Sequence, residues 1–333
     1  MDLTMTHEEA SELLGAWAVD ACDGAEAVAV EGHLGSCAEC RAEAMVLRRA
    51  AAGLGELAAA RPRPPDGLQD SVAGLAISAS TPAALFGHQI HALAGLLDTI
   101  APSGWGASTA AGWTVHELVA HLLAGASYIN WQLGLVGADP GGGELVWLPR
   151  SEVVIAGQRE NEPARTVDEW RAQADLLHGH LAGAVRDDLL VPIQWFGHDT
   201  PLRVVAVIHA FETWVHAEDI RRATGRAPEA PTPADLESMS RLAARLLGSA
   251  MSASPTASGR TARLALTGAG GGELSIPPGA PTTEPDVTVT ADVVTFCHLI
   301  GGRVRPSDFP HRIDGDPELG RELVQTATSF AFP

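Results

Sequence analysis

Apolar positions recur at helical spacing over most of the chain, and three proline-punctuated segments follow from them. Helical stretches are predicted over Glu8–Val19, Ala25–Gly35 and Ala38–Ala60. They precede a break at residues 61–65, where three prolines in four positions cannot continue a helix. Asp66–Leu75 predicts one further short helix, and a polar gap at Ser78–Pro82 opens the second segment. There, one helix is expected over Ala83–Ile100. Another starts at Thr114, because Thr114-Val115-His116-Glu117 has the capping-box form, with Trp113 and Leu118 at the staple positions. Thr166-Val167-Asp168-Glu169 repeats that form and opens a helix to Arg186, and Leu202–Thr224 stops at Gly225. Four main helices with longish loops describe a four-helix bundle.

The period then changes. After a Pro-rich linker, Ala227–Pro233, a helix is expected over Ala234–Ser249. Arg260–Thr267, Glu273–Ile276 and Asp286–Thr290 are short, β-branched and bounded by Gly and Pro, so they read as strands. A helix at Asp292–Ile300, a strand at Arg312–Asp314 and a helix at Glu318–Phe330 complete the pattern. The expected fold is therefore mainly α with a C-terminal α+β domain. Its predicted divisions are a small helical domain at 1–79, the bundle at 82–226 and the α+β domain at 232–333.

Composition narrows the function. The chain has 333 residues and a formal charge of −19, and Arg carries all of the positive count, since no Lys occurs. Phosphate contacts need a clustered basic patch and none is visible, which argues against nucleic acid as a partner. The missing Lys also excludes Schiff-base chemistry. No apolar run approaches the roughly 18 residues of a membrane span, and the N-terminus lacks a basic n-region, so a cytoplasmic protein is expected. Gly268–Gly272 lacks the strand–loop–helix context and Lys of a phosphate loop and reads as a turn. Cys297 sits in an apolar helix and reads as core.

Two constellations carry chemistry. In the first, His33-x3-Cys37-x2-Cys40 places an imidazole and two thiols on successive turns at a helix junction. Zn²⁺ takes four such ligands tetrahedrally, and His7 would be returned beside His33 by a helical hairpin. A structural zinc is expected there. Cys22 lies between these ligands and reads as a buried small residue, the alternative being a resolving thiol.

In the second, Glu212 and His216 are four apart, about 40° around a helix, so they project to one side. His209 shares their face, and Asp219 lies three residues beyond. Such a cluster beside Val204, Val205, Val207 and Ile208 is costly to bury unless a metal or hydrogen bonds satisfy it. His121, amid Leu118, Val119, Leu122 and Leu123, is the candidate third ligand from a facing helix. Two His and one carboxylate leave an open position on zinc or another divalent metal, the layout of a catalytic site.

Both constellations resemble known families. His7, the His33/Cys37/Cys40 spacing and the following PRPPDGLQDSVAGL are similar to the zinc-binding anti-sigma domain, over roughly residues 1–79. That resemblance implies an extracytoplasmic-function sigma factor as partner. GWTVHELVAHLLAG with HAFETWVHAEDIRRATGR resembles the mycothiol-dependent maleylpyruvate isomerases, within the DinB-like metal-binding bundles. DVVTFCHLIGGRVRP with HRIDGDPELGRELV resembles the sterol-carrier-like domain that follows that bundle. This second resemblance runs from about residue 82 to the end. It implies ligand roles for His121, Glu212 and His216, and mycothiol as co-substrate, bound as a thiolate that attacks a small electrophile in isomerisation or S-transfer. It also implies an anion-binding catalytic Arg in the last domain, here Arg303 with Arg305 next, and an orienting role for Asp219 or His209.

Overall fold

The computed structural model describes residues 5–18, 22, 24–37, 40, 41, 44, 80–137, 147–252, 254–279 and 284–330. The chain divides into two compact units, 1–63 and 64–333. In the first, α1 (His7–Ala18) and α2 (Gly24–Ser36) pack on each other. Thr6 and Glu9 cap α1 reciprocally: Thr6 N–H donates to Glu9 Oε2 at 2.9 Å and Glu9 N–H to Thr6 Oγ1 at 3.3 Å. Ala10 and Leu14 of α1, Val30 of α2, and Cys40 and Ala44 beyond it form an apolar cluster. Most of the helix expected at 38–60, the proline break and the helix at 66–75 lie outside the described residues.

The second unit opens with the bundle. Its long helices are α3 (Pro82–Leu97), α4 (Val115–Gln132), α6 (Pro163–Gly183) and α7 (Leu202–Ala223). α3 packs on α6 and α7, and α4 packs on the same two from the other side. The expected capping box at Thr114 is present in full, and it fixes where α4 begins. The one expected at Thr166 is not an N-terminus. α6 starts four residues earlier from Glu162, because Pro163 fits the first helical position, and Thr166 is buried inside the helix. Two elements lie in stretches read as loop: α5 (Trp147–Gln158) and a hairpin of β1 (Pro192–Trp195) and β2 (His198–Pro201).

The α+β region matches the expected order of elements. α8 (Pro233–Ser252) precedes β3 (Ala262–Thr267), β4 (Gly272–Ile276) and β5 (Val287–Asp292). Then come α9 (Val293–Ile300), β6 (His311–Gly315) and α10 (Pro317–Ala327). The sheet runs β4-β3-β5-β6, with β3 and β5 parallel and the other pairs antiparallel. Alternate residues Val287, Val289 and Ala291 are buried, the period-2 pattern of a sheet with one covered face. Helices α8, α9 and α10 cover it, and one apolar core runs on from Leu85 in the bundle to Ala327 in α10.

Candidate metal centres

In the N-terminal unit, His7, His33, Cys37 and Cys40 bring one donor atom each to within 4.8 Å of one another. The Thr6 cap sets His7 at the first position of α1, and its Nδ1 lies 3.1 Å from Cys40 Sγ and 3.5 Å from Cys37 Sγ. The His33 ring is held from its other side, with Nδ1 3.0 Å from the Met5 carbonyl. The Cys40 backbone N–H and the His7 ring lower the Cys37 thiol from 9.0 to about 6, so thiolate dominates at neutral pH. Two thiolates and two imidazoles are the donor set of a closed, four-coordinate zinc site.

The bundle cluster stands on α4 and α7. His121, Glu212 and His216 also converge within 4.8 Å, and all three are buried. Each is held from behind. His121 presents Nε2 to Glu212 Oε1 at 3.0 Å, while its Nδ1 meets Ser151 Oγ of α5 at 2.7 Å. Trp113 lies over the His121 ring, with centroids 4.6 Å apart. The second Glu212 oxygen is 3.2 Å from His209 Nδ1, and His209 stacks on Phe86. His216 Nδ1 is 3.3 Å from Asp219 Oδ2.

Electrostatics follow from this packing. Burial opposes ionisation of Glu212, yet hydrogen bonding to His121 and His209 holds its carboxyl below the usual range. Burial pushes His216 down to about 4, so at neutral pH it is the neutral imidazole that a metal requires. Its Nε2 is buried with no hydrogen-bond partner. An orphaned buried acceptor costs about 1–3 kcal/mol, and a cation among these three donors would satisfy it. The donor set and that nitrogen fit a divalent metal.

Asp219 and Arg303, both named by the sequence, lie beside this cluster and beside each other. Burial would raise the Asp219 carboxyl, but His216 and the Arg303 guanidinium hold it low. Arg303 is only 6% exposed in its side chain and forks onto Asp219. Arg305 lies apart, 81% exposed and paired with Asp308. Ser151 and Trp113 were missed as supports. Trp113 precedes the Thr114 cap, where its position in the sequence marks it only as a staple residue. Ser151 is 30 residues from His121 in a stretch with no local signal. Arg150, the neighbour of Ser151, is fully buried with its guanidinium 4.6 Å over the Tyr128 ring, and no motif marks it either.

Two segments of the chain match known families. Residues 86–221 match the family described as "Mycothiol maleylpyruvate isomerase N-terminal domain". Residues 8–41 match a second family, described as "Putative zinc-finger". No curated protein matches the chain. Two solved structures are similar to it: a mycothiol-dependent maleylpyruvate isomerase, 18% identical, and a histidine-to-alanine variant of that enzyme, 17% identical. Each has a TM-score of 0.47 and covers 69% of this chain and 91% of the other.

Proposed function

We propose that the bundle cluster is a catalytic divalent-metal site, zinc by its donor set, serving a mycothiol-type isomerase or S-transferase. The substrate class is a small electrophile, carboxylate-bearing as in the isomerases this segment resembles. The observation that carries this reading is the buried, orphaned His216 Nε2 facing His121 and Glu212. In this reading His121, Glu212 and His216 hold the ion, and three protein ligands leave a position open. A zinc ion held so would lower the pKa of a bound thiol and supply it as thiolate at neutral pH. The chain's own part is orientation and exclusion of water. Ser151, His209 and Asp219 each fix the outward side of one ligand, and the apolar wall keeps the site dry. The chain is read as three domains, 1–79, 82–226 and 232–333, and as cytoplasmic; among the described residues no helix is long and apolar enough to cross a membrane.

The test is mycothiol-dependent turnover of maleylpyruvate, followed by absorbance with metal content measured alongside. About two metal ions per chain are expected, since the two clusters each suit one. His121→Ala should lose one of them together with all thiol-dependent turnover. A variant that turns over undiminished would sink the ligand assignment.

A second reading concerns the N-terminal unit. Its four ligands and zinc-finger match support a structural zinc, and its resemblance to anti-sigma domains supports a role as an anti-sigma factor whose bundle senses a thiol or small ligand. The full chain should then co-purify with an extracytoplasmic-function sigma factor encoded nearby, and release it when Cys37 and Cys40 are replaced by Ser. Absence of binding to every neighbouring sigma factor would end that reading.

A further inference from the structure

The α+β region reaches the bundle cluster through the Arg303 side chain. Arg303 Nε donates to Asp219 Oδ1 and Oδ2 at 3.2 and 3.1 Å, and Nη2 donates to Oδ2 at 2.5 Å. Nη1 donates to the Gly301 carbonyl at 2.6 Å. All three guanidinium nitrogens are thus engaged by the protein, in a side chain that is 6% exposed. His216 Nδ1 faces both members of this pair, Asp219 Oδ2 at 3.3 Å and Arg303 Nη2 at 3.3 Å. Only the tautomer with the proton on Nδ1 leaves Nε2 a lone pair to give. The Asp219 carboxylate accepts that proton's hydrogen bond, while the Arg303 guanidinium directs its own donors to Asp219 and Gly301.

The turn that delivers Arg303 is built for close approach. A Cβ on Gly301 would lie 3.0 and 3.3 Å from the two methyls of Val215, the residue before His216. Gly302 follows at φ 75°, in the left-handed region that glycine favours. Arg303 N–H then donates to the His298 carbonyl at 2.8 Å, which closes the turn on the end of α9.

We propose that Arg303 is a positioning residue, not an anion contact: the Gly301-Gly302-Arg303 turn locks Asp219 and, through it, the orientation and tautomer of His216. The α+β region thereby sets the metal affinity of the bundle. This rests on the reading of the bundle cluster as a metal site. It reassigns the role that the resemblance gave to Arg303.

The experiment uses the full chain with its N-terminal site filled by Zn²⁺, titrated with Co²⁺ while visible absorption is followed. Nitrogen and oxygen ligands give Co²⁺ d–d bands without thiolate charge transfer, so the bundle site is read separately from the cysteine site. Glu212→Gln should abolish those bands and so mark the site. Arg303→Met should weaken Co²⁺ binding by about 10–100-fold, the usual effect of losing a ligand's support, with Arg303→Lys in between. Gly301→Ala, which keeps the guanidinium but moves the turn, should shift affinity in the same direction. Should Arg303→Met fail to fold, Arg303→Lys and Gly301→Ala decide. Affinities in the folded variants within about threefold of the wild type, well short of that usual loss, would overturn the positioning role while the metal site stands. Wild-type protein without the bands, or bands that survive Glu212→Gln, would remove the metal site and the proposal with it.

Discussion

Both clusters gather their donor atoms within 4.8 Å of one another, yet they stand in opposite relations to the fold around them. In the N-terminal unit the described apolar cluster is Ala10, Leu14, Val30, Cys40 and Ala44, so a ligand is itself part of the core. Units of this size bury too little apolar surface to be secure alone, and metals commonly supply the difference. In the bundle the ligands are a polar insertion into a core that runs from Leu85 to Ala327 without them. A metal in the first site would complete the fold. In the second it would find the fold complete and contribute chemistry.

The largest expected effect comes from removing metal altogether. With a strong chelator, backbone amides of α1 and α2 should lose their hydrogen-exchange protection, while those of α4 and α7 keep theirs. Structural zinc binds with about 10–16 kcal/mol of apparent free energy, more than a small unit can replace from its own contacts. Protection in α1 and α2 that survives chelation would break the contrast from one side. Loss of protection in α4 and α7 would break it from the other.

What the sequence disclosed, and what it hid, divides along a similar line. The capping box at Thr114 was legible because every group in it lies within four residues, and Glu212 and His216 share a helix face for the same reason. The copy at Thr166 misled, since Pro163 offers a better helix start just upstream. β1 and β2 are four residues each, and their turn places Phe196 at φ 50°, where glycine or asparagine would have announced a hairpin. Contacts across the chain left no local trace: Ser151 on His121 spans 30 positions and Arg303 on Asp219 spans 84. Arg303 was singled out by resemblance, and the resemblance carried its position rather than the carboxylate it meets.

A smaller change sharpens the contrast within the bundle. Thr114 caps the helix that bears His121, with its side chain accepting from Glu117 N–H and Glu117 reaching back to Thr114 N–H. Thr114→Ala should cost about 1 kcal/mol of stability. For a unit of this size that lowers Tm by roughly 2–4 °C. Metal content should not change, because Ser151 and Trp113 still hold the His121 ring. Metal lost at unchanged Tm would show that ligand order, not the core, sustains this helix.

The smallest effect concerns acid. Asp316 caps α10, accepting from Glu318 and Leu319 N–H at 2.8 and 3.0 Å, and pairs with Arg260. The Leu319 N–H and the Arg260 guanidinium hold its carboxyl near 2 rather than 3.8. A depressed folded pKa stabilises the fold above the unfolded value, and the gain is lost as pH falls through the folded one. Between about pH 4 and pH 2, therefore, the unit of residues 64–333 should weaken more steeply in the wild type than in Asp316→Asn, which has no proton to take up there. Urea midpoints measured across that window, with chelator present throughout, would show it. If the two slopes agree, the cap contributes nothing through its charge. If repeating the series without chelator steepens both slopes, acid weakens the metal-loaded unit by expelling the ion, and the independence of its core from the ion would have to be given up.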